Sequence, residues 1–278
     1  MDQGTFSATF WGVRGTMPTA HPSVMRYGGN TSCVEVQCNG ITFILDAGSG
    51  IVNLAHHLPN HAHLLLSHTH IDHIVGLCCM SKIFSPDFSM DIWAGHLLPE
   101  CMVDEVLSQM ISPPLFPIPI KAVAAQLNYH DFYAGSELFH KHFLDRGIQI
   151  YTYALQHPDR ATAYRIVWNG KSLCYVTDVE HVTDELDESL MHFIRYSDVV
   201  IYDSTYDDSN FTSYIGWGHS TWQHALRMGD AAMVDKMVLF HHDPSSTDDI
   251  LDQRADYIEQ HHAGKALMAR EGLTLVLA

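Results

Sequence analysis

A chain of 278 residues can build one large domain or two small ones, and its 46% hydrophobic and 17% charged content supplies ample core for an ordinary globule. A net charge of −17 with histidine neutral, carried with only 15 lysines and arginines, disfavours a long polyanionic partner such as tRNA or DNA. Residues 1–14 show no basic-then-apolar leader, no run approaches the roughly 20 apolar residues of a membrane span, and the six cysteines form no CxxC pair, so a cytoplasmic protein with reduced thiols is expected.

Residues 5–11 read as a first strand, and Gly12-Val13-Arg14-Gly15-Thr16 turns out of it. Tyr27-Gly28-Gly29-Asn30-Thr31-Ser32 is a second glycine-bearing turn, whose backbone N–H groups are a candidate anion contact. Residues 33–38 alternate apolar and polar side chains as a half-buried strand does, Asn39-Gly40 is a hairpin turn, and residues 41–45 return. Asp46-Ala47-Gly48-Ser49-Gly50 follows, with a short helix over residues 54–58. Leu64-Leu65-Leu66 is an apolar strand that ends at Ser67.

A helix is expected to start at residues 76–80, a strand at 90–94, and a helix over 100–111 with Met102, Val106, Leu107 and Met110 on one side. Pro113, Pro114, Pro117 and Pro119 forbid regular helix or central strand in residues 112–119. Beside a metal site such a loop is a candidate lid or dimer contact, with ordinary packing as the alternative. Residues 148–155 form a strand, and 163–168 with 171–176 a hairpin around Asn169-Gly170. A buried strand over 199–202 ends at Asp203. Ser220 or Thr221 caps a helix reaching residue 233, a strand over 237–240 ends at His241-His242-Asp243-Pro244, and a last helix spans 247–262. Nothing reads as a linker or repeat, so one domain over residues 1–278 is expected.

His68, His70, Asp72 and His73 fall within six positions after Ser67. Imidazole and carboxylate are ligands for Zn²⁺, Mn²⁺ or Fe²⁺, and four of them in one short loop exceed what a single catalytic ion with an open position can use. Two adjacent ions fit better. The same pattern, an apolar strand that delivers a ligand-type residue, recurs at His157, Asp178 and His241. Strands of one sheet that run the same way place their ends along one edge, so these side chains can meet. Bound cations would also reverse the local field and let a small anion approach an acidic chain.

His68-x-His70-x-Asp72-His73 behind an apolar strand resembles the signature of the metallo-β-lactamase fold superfamily. The resemblance runs over nearly the whole chain and is least in residues 76–150. It implies an α/β fold, the four-layer αββα sandwich, with His68, His70 and His157 on one ion, Asp72, His73 and His241 on the other, and Asp178 bridging. His241 matches the motif because it lies two residues after a strand leucine, Leu239, which leaves His242 supporting or facing substrate. Asp46 is expected to brace the loop rather than to bind metal. Zn²⁺ is the default ion, with Mn²⁺ or Fe²⁺ possible, and such a pair would activate a shared water and clamp an oxyanion.

Gly218-His219-Ser220-Thr221 is similar to the Gly-His-Ser/Thr segment of ribonuclease Z-like phosphodiesterases, so catalysis is assigned to His219, as general acid or oxyanion stabiliser, together with Asp72. Within that branch Phe10-Trp11-Gly12-Val13-Arg14-Gly15 and His241-His242-Asp243-Pro244 look like a widespread group of bacterial hydrolases. Ribonuclease Z inserts a long tRNA-binding arm between its third histidine and bridging aspartate, whereas only a hairpin separates His157 from Asp178. The resemblance therefore implies a small anionic substrate, a phosphodiester or cyclic nucleotide, with no tRNA, DNA or membrane as partner and a homodimer as one possible assembly. Arg14, Arg165 and Lys171 are candidate phosphate contacts, with an ordinary surface role as the alternative for each. The rival readings are an ester, thioester or lactone hydrolase on the same ions, and a metal-binding module without catalysis.

Overall fold

Burial alternates along β1 (Phe6–Gly12) and nearly so along β2 (Cys33–Cys38), so each strand keeps one face in the interior. Asn39 and Gly40, both at positive φ, then turn the chain tightly into β3 (Ile41–Leu45). Next along the chain come β4 (His61–Leu66), β5 (Ser89–Ala94) and β6 (Gln126–Asp131), all parallel to β3. β7 (Gln149–Leu155), β8 (Ala161–Trp168) and β9 (Lys171–Val176) form an antiparallel meander, to which β10 (Val199–Asp203), β11 (Lys236–Phe240) and β12 (Ala266–Met268) add in parallel. The closing β13 (Thr274–Val276) pairs with β1. The strand orders are β13-β1-β2-β3-β4-β5-β6 and β12-β11-β10-β9-β8-β7. This computed structural model describes residues 4–181 and 185–278, so residues 1–3 of the segment expected to carry no leader lie outside it.

Between the sheets lies a core drawn from both: Phe6, Phe10, Phe43 and Leu65 meet Tyr164, Tyr175, Ile201 and Phe240. The outer face of the first sheet, through Leu64 and Ile92, buries Leu54 of α1 (Ile51–Leu54), Ile74 of α2 (Ile71–Ile74) and Leu107 of α3 (Val103–Met110). A five-residue α4 (Lys141–Asp145) sends Phe143 into the central core. Over the outer face of the second sheet, Val176, Val200 and Leu239 pack on α5 (Glu188–Ile194), α6 (Trp222–Ala231) and α7 (Asp248–His261) through Leu190, Leu226 and Leu251. Each such side chain contributes about 1.5–3 kcal/mol by leaving water. The layers are helix, sheet, sheet, helix, the αββα order.

Several elements differ from the sequence reading. The first helix lies earlier, at Ile51–Leu54, because Ile51 and Leu54 face the core straight after the Gly48–Gly50 turn, and Pro59 bars extension. Residues 75–79 and 81–84 are two 3₁₀ turns rather than a helix. α3 starts at Val103, where the Glu105 carboxylate accepts the Met102 N–H, rather than at residue 100. The strand before the histidine loop begins at His61, before its apolar run. Among the described residues no helix is long and apolar enough to cross a membrane.

β4 ends in the first sheet at the point where β7, β9, β10 and β11 end in the second, so the ligand-type residues are not drawn from the strands of one sheet as expected. They line the seam between two.

Candidate metal centre

From the first sheet, β3 delivers Asp46, fully buried and in the left-handed region at φ +60°. Its Oδ1 accepts the Ser67 N–H at 2.7 Å, and its Oδ2 accepts the Ser67 hydroxyl at 2.7 Å and the Tyr175 hydroxyl at 2.8 Å. The same Oδ2 lies 2.7 Å from His73 Nδ1, which leaves His73 Nε2 facing Asp72 and Asp178, 3.3 Å from each carboxylate. Asp72, in the first turn of α2, accepts the Thr16 N–H at 2.7 Å. His70 Nε2 contacts the exposed Asp159 at 2.8 Å, so Nδ1 is its available nitrogen.

From the second sheet, His157 follows β7 and accepts the Asp159 N–H on Nδ1 at 3.3 Å. Asp178 follows β9 at φ +56° and His241 follows β11 at φ +61°; this left-handed turn at a strand end swings each side chain into the seam. His241 Nδ1 lies 3.0 Å from the Thr205 hydroxyl. Asp203, the last residue of β10, accepts the Asp178 N–H at 3.1 Å on Oδ2 and the Ser220 N–H at 3.1 Å on Oδ1.

Four sets result, each with its donor atoms within 4.8 Å of one another: His68, His70 and His157; Asp72, His73 and His241; between them, His68, His73 and Asp178; and Asp178, Asp203, His219 and His241. Asp178 Oδ1 is 3.7 Å from His68 Nε2, while its Oδ2 is 3.3 Å from His73 Nε2 and 3.4 Å from His241 Nε2. The Nε2 atoms of His68, His73, His157 and His241 are all buried without a hydrogen-bond partner. Four buried imidazole nitrogens without a hydrogen-bond partner would be costly in a folded interior unless a cation satisfies them, and this nitrogen and oxygen donor set suits a zinc-class divalent ion.

Electrostatics agree. Burial holds His68 well below its usual range, and it holds His157 down to about 4, so both rings are neutral and free to bind a cation. Burial opposes charge on His73 as well, but Asp178, Asp72 and Asp46 override it and raise its pKa well above normal. Against their own burial, Asp72 and Asp178 are held below the usual carboxylate range by the surrounding histidines.

His219 belongs to the last of these sets, its Nδ1 2.9 Å from Asp203 and its ring stacked on His241 at 4.8 Å. Burial opposes its charge, yet Asp203, Asp178 and Asp72 push its pKa up to about 9. Gly218 sits at φ +86° with no room for a Cβ against the His157 ring. The preceding loop is tied down by Glu180, which accepts the Gly216 and Gly218 N–H groups at 2.7 Å each. A cavity of about 590 Å³ opens onto His70, Asp72, Asp178 and His219, walled by Tyr206, Tyr214 and Trp217. Tyr206 and Tyr214 stack at 4.1 Å, and Trp217 meets Tyr214 edge-on at 5.7 Å.

The seven expected ligand positions and His219 thus share one seam. Asp203 and Glu180 escaped the sequence reading, although Asp203 ends a buried strand as Asp178 does, and that signal was available. Other expectations fail. Arg14 is fully buried and donates to the carbonyls of Gly28, Asp243 and Ser246, bracing loops instead of meeting phosphate. Arg165 donates to the carbonyls of Phe193 and Arg195, and Lys171 pairs with Asp198; neither lines the cavity. His242 does not face substrate, because its buried ring turns to the Ala269 carbonyl. The Gly28-Gly29 turn is closed to an outside anion by Glu271, which takes the Asn30 N–H at 2.7 Å. Residues 112–119 do not line this cavity and Phe116 packs on the outer core, which fits the ordinary-packing alternative given for that loop.

The model of the beta-lactamase superfamily domain matches residues 42–242. Ribonuclease Z of Picrophilus torridus is 24% identical over 280 residues, covering 86% of each chain. Ribonuclease Z of Thermoplasma volcanium is 29% identical over 105 residues, 37% of this chain, and the match spans only 33% of that protein. Among solved structures, a diphosphatase of the PhnP family superposes with a TM-score of 0.71 at 16% identity over 98% of this chain and 100% of the other. Zn²⁺-bound PqqB from Methylobacterium extorquens does so with 0.71 at 14% identity, over 97% and 99%. The chain therefore belongs to the metallo-β-lactamase superfamily.

Proposed function

We propose that the chain hydrolyses a small phosphodiester, with a cyclic nucleotide as the first candidate, at a centre of two divalent cations. His68, His70 and His157 would hold one cation, Asp72, His73 and His241 the other, and Asp178 would serve both; Zn²⁺ is the default and Mn²⁺ or Fe²⁺ accept the same donors. The observation that carries this reading is the set of four buried Nε2 atoms without a hydrogen-bond partner, on His68, His73, His157 and His241, three of which (His68, His73 and His241) stand 3.3–3.7 Å from an Asp178 oxygen. When bound, such cations supply electrophilic charge for an anionic centre and lower the pKa of water.

The chain's own residues supply the rest. With Nδ1 held by Asp203, His219 presents Nε2 to the cavity and can give a proton to the departing ester oxygen. Water adds to phosphorus as the bond from phosphorus to that oxygen breaks; a linear diester gives a phosphomonoester and an alcohol, and a cyclic nucleotide gives one ring-opened phosphomonoester that carries the freed hydroxyl. Tyr206, Tyr214 and Trp217 offer aromatic faces to the organic part of the substrate. A cavity of about 590 Å³ suits a small molecule, and the acidity of the chain opposes a long polyanion, so tRNA is not proposed as the substrate despite the names of the relatives.

Turnover of bis(p-nitrophenyl) phosphate against p-nitrophenyl esters and lactones, with metal analysis of the same sample, tests the proposal. Faster cleavage of the phosphodiester is expected. Among the described residues no lysine or arginine lines the cavity, which favours an uncharged ester, thioester or lactone as the second reading. Preference for the carbonyl substrates would establish it and sink the first. Failure on every substrate despite bound metal would leave a metal-binding module.

A further inference from the structure

A second histidine cluster lies at the opposite end of β4, roughly 20 Å from the seam by strand rise. His61 and His63, two positions apart, project from the same face of β4 toward the open end of the sandwich, where α4 brings His142 against them. The ligand atoms of His61, His63 and His142 lie within 4.8 Å of one another. His61 Nε2 and His63 Nε2 face each other at 3.3 Å. Two nitrogens on one tetrahedral ion, each at about 2.0–2.1 Å, stand about 3.3 Å apart, so the pair already has the spacing of one edge of such a site.

The surroundings resemble a support shell. Asp91 Oδ2 on β5 lies 3.4 Å from His63 Nδ1, the nitrogen turned away from the cation position, and Oδ1 lies 2.9 Å from His130 Nε2; at 3.2 Å from His61 Nε2, Asp91 also sets negative charge beside the ligand atoms. His61 Nδ1 is tied to the Ser89 hydroxyl at 2.8 Å. His63 is buried, its Nδ1 has no hydrogen-bond partner, and burial lowers its pKa to about 3, which keeps the ring neutral. A cavity of about 470 Å³, lined also by Asp145, opens beside the three rings. Phe143 packs against the His63 ring at 4.8 Å, so a cation there would clip α4 to β4 and shut the end of the core.

We propose that His61, His63 and His142 bind one further divalent transition-metal cation of the zinc, nickel or copper class, separate from the hydrolase centre. Imidazole donors exclude the oxygen-seeking Mg²⁺ and Ca²⁺, and three ligands leave one coordination position open. The test is a ZnCl₂ titration of the full chain after stripping with a chelator, with bound zinc counted by elemental analysis after dialysis against micromolar ZnCl₂. The wild type is compared with His61→Ala/His142→Ala, both residues being outside the closed core. The expected result is one equivalent of zinc fewer in the double variant, a smaller zinc-induced rise in thermal midpoint, and unchanged phosphodiester turnover per filled hydrolase centre. His142→Ala alone, at the exposed ligand, gives the same reading should the double variant misfold. Equal zinc content in wild type and variant would overturn the proposal and leave His61 and His63 as an imidazole–imidazole hydrogen bond. Loss of the difference at micromolar zinc, with binding only at millimolar, would overturn it as well.

Discussion

Asp203 decides what His219 can do. Its Oδ2 sits 2.9 Å from His219 Nδ1, which fixes the ring and turns the other nitrogen to the cavity. Removing His219 should therefore affect turnover and not metal: His219→Ala is expected to lower kcat by roughly 10²- to 10⁴-fold with bound metal unchanged. Asp178→Ala, at the carboxylate between the two donor sets, should abolish activity and lower metal content together. Equal metal loss in both variants, measured by elemental analysis, would refute this division. The pH profile follows with a definite sign. His219 is raised from 6.5 to about 9, against its burial, by Asp203, Asp178 and Asp72, so it keeps its proton through neutrality and loses it as pH rises through that value. Nearby cations can only lower it. Turnover that needs this proton should therefore fall on the alkaline side, at or below about pH 9, and His219→Ala should lack that limb; a limb retained in the variant would reassign the acid. Linkage carries the same sign into the metal-free protein: the protonated ring contributes stability in full below about 6.5, and the contribution is lost toward about 9.

At the scale of elements, the aromatic wall of the cavity comes from one stretch, residues 206–217, and little of it can be read from sequence. Tyr214 and Trp217 flank Gly216 in a segment without helical or strand period, and only Glu180, far away in sequence, binds the Gly216 and Gly218 N–H groups and gives the loop its shape. By contrast β4, β9 and β11 were legible because each is an apolar run closed by a polar residue, and burial enforces that pattern. β6 was missed because Gln126–Asp131 is a polar edge strand with no buried position, and α4 because five residues carry no period. The pairing of strand ends across two sheets is likewise a tertiary fact, absent from any local signal. Trp217 is 63% exposed, so its removal leaves the core intact. Trp217→Ala should raise KM for an aryl or nucleoside phosphodiester several-fold with kcat little changed; a loss confined to kcat would place the indole on the reacting group's side. Gly218→Ala has the opposite signature. A Cβ there meets the His157 ring and the residue stands at φ +86°, so metal affinity and kcat should fall together, measured by chelator competition.

The whole molecule couples its two sheets at the place where its charge is least compensated. Asp46, Asp72, Asp178 and Asp203 converge with six histidines at a seam, in a chain whose net charge is −17. The central core holds the sheets together from below, through Phe43, Tyr175 and Phe240, while at the seam the link between sheets runs largely through polar groups such as Tyr175 hydroxyl to Asp46. Without cations the buried Nε2 atoms stay without hydrogen-bond partners, so metal binding and folding should be linked. A ligand present at 1,000 times its Kd stabilises the native state by about 4 kcal/mol, and each kcal/mol moves the midpoint of a chain of this size by about 2–4 °C. Stripping the hydrolase centre with a chelator should therefore lower the thermal midpoint by roughly 10 °C, and added Zn²⁺ should restore it. In Asp178→Ala the same treatment should change the midpoint far less, since the carboxylate common to both donor sets is gone. A chelator-insensitive midpoint in the wild type would mean that the seam is held without metal, and the donor geometry would then need another explanation.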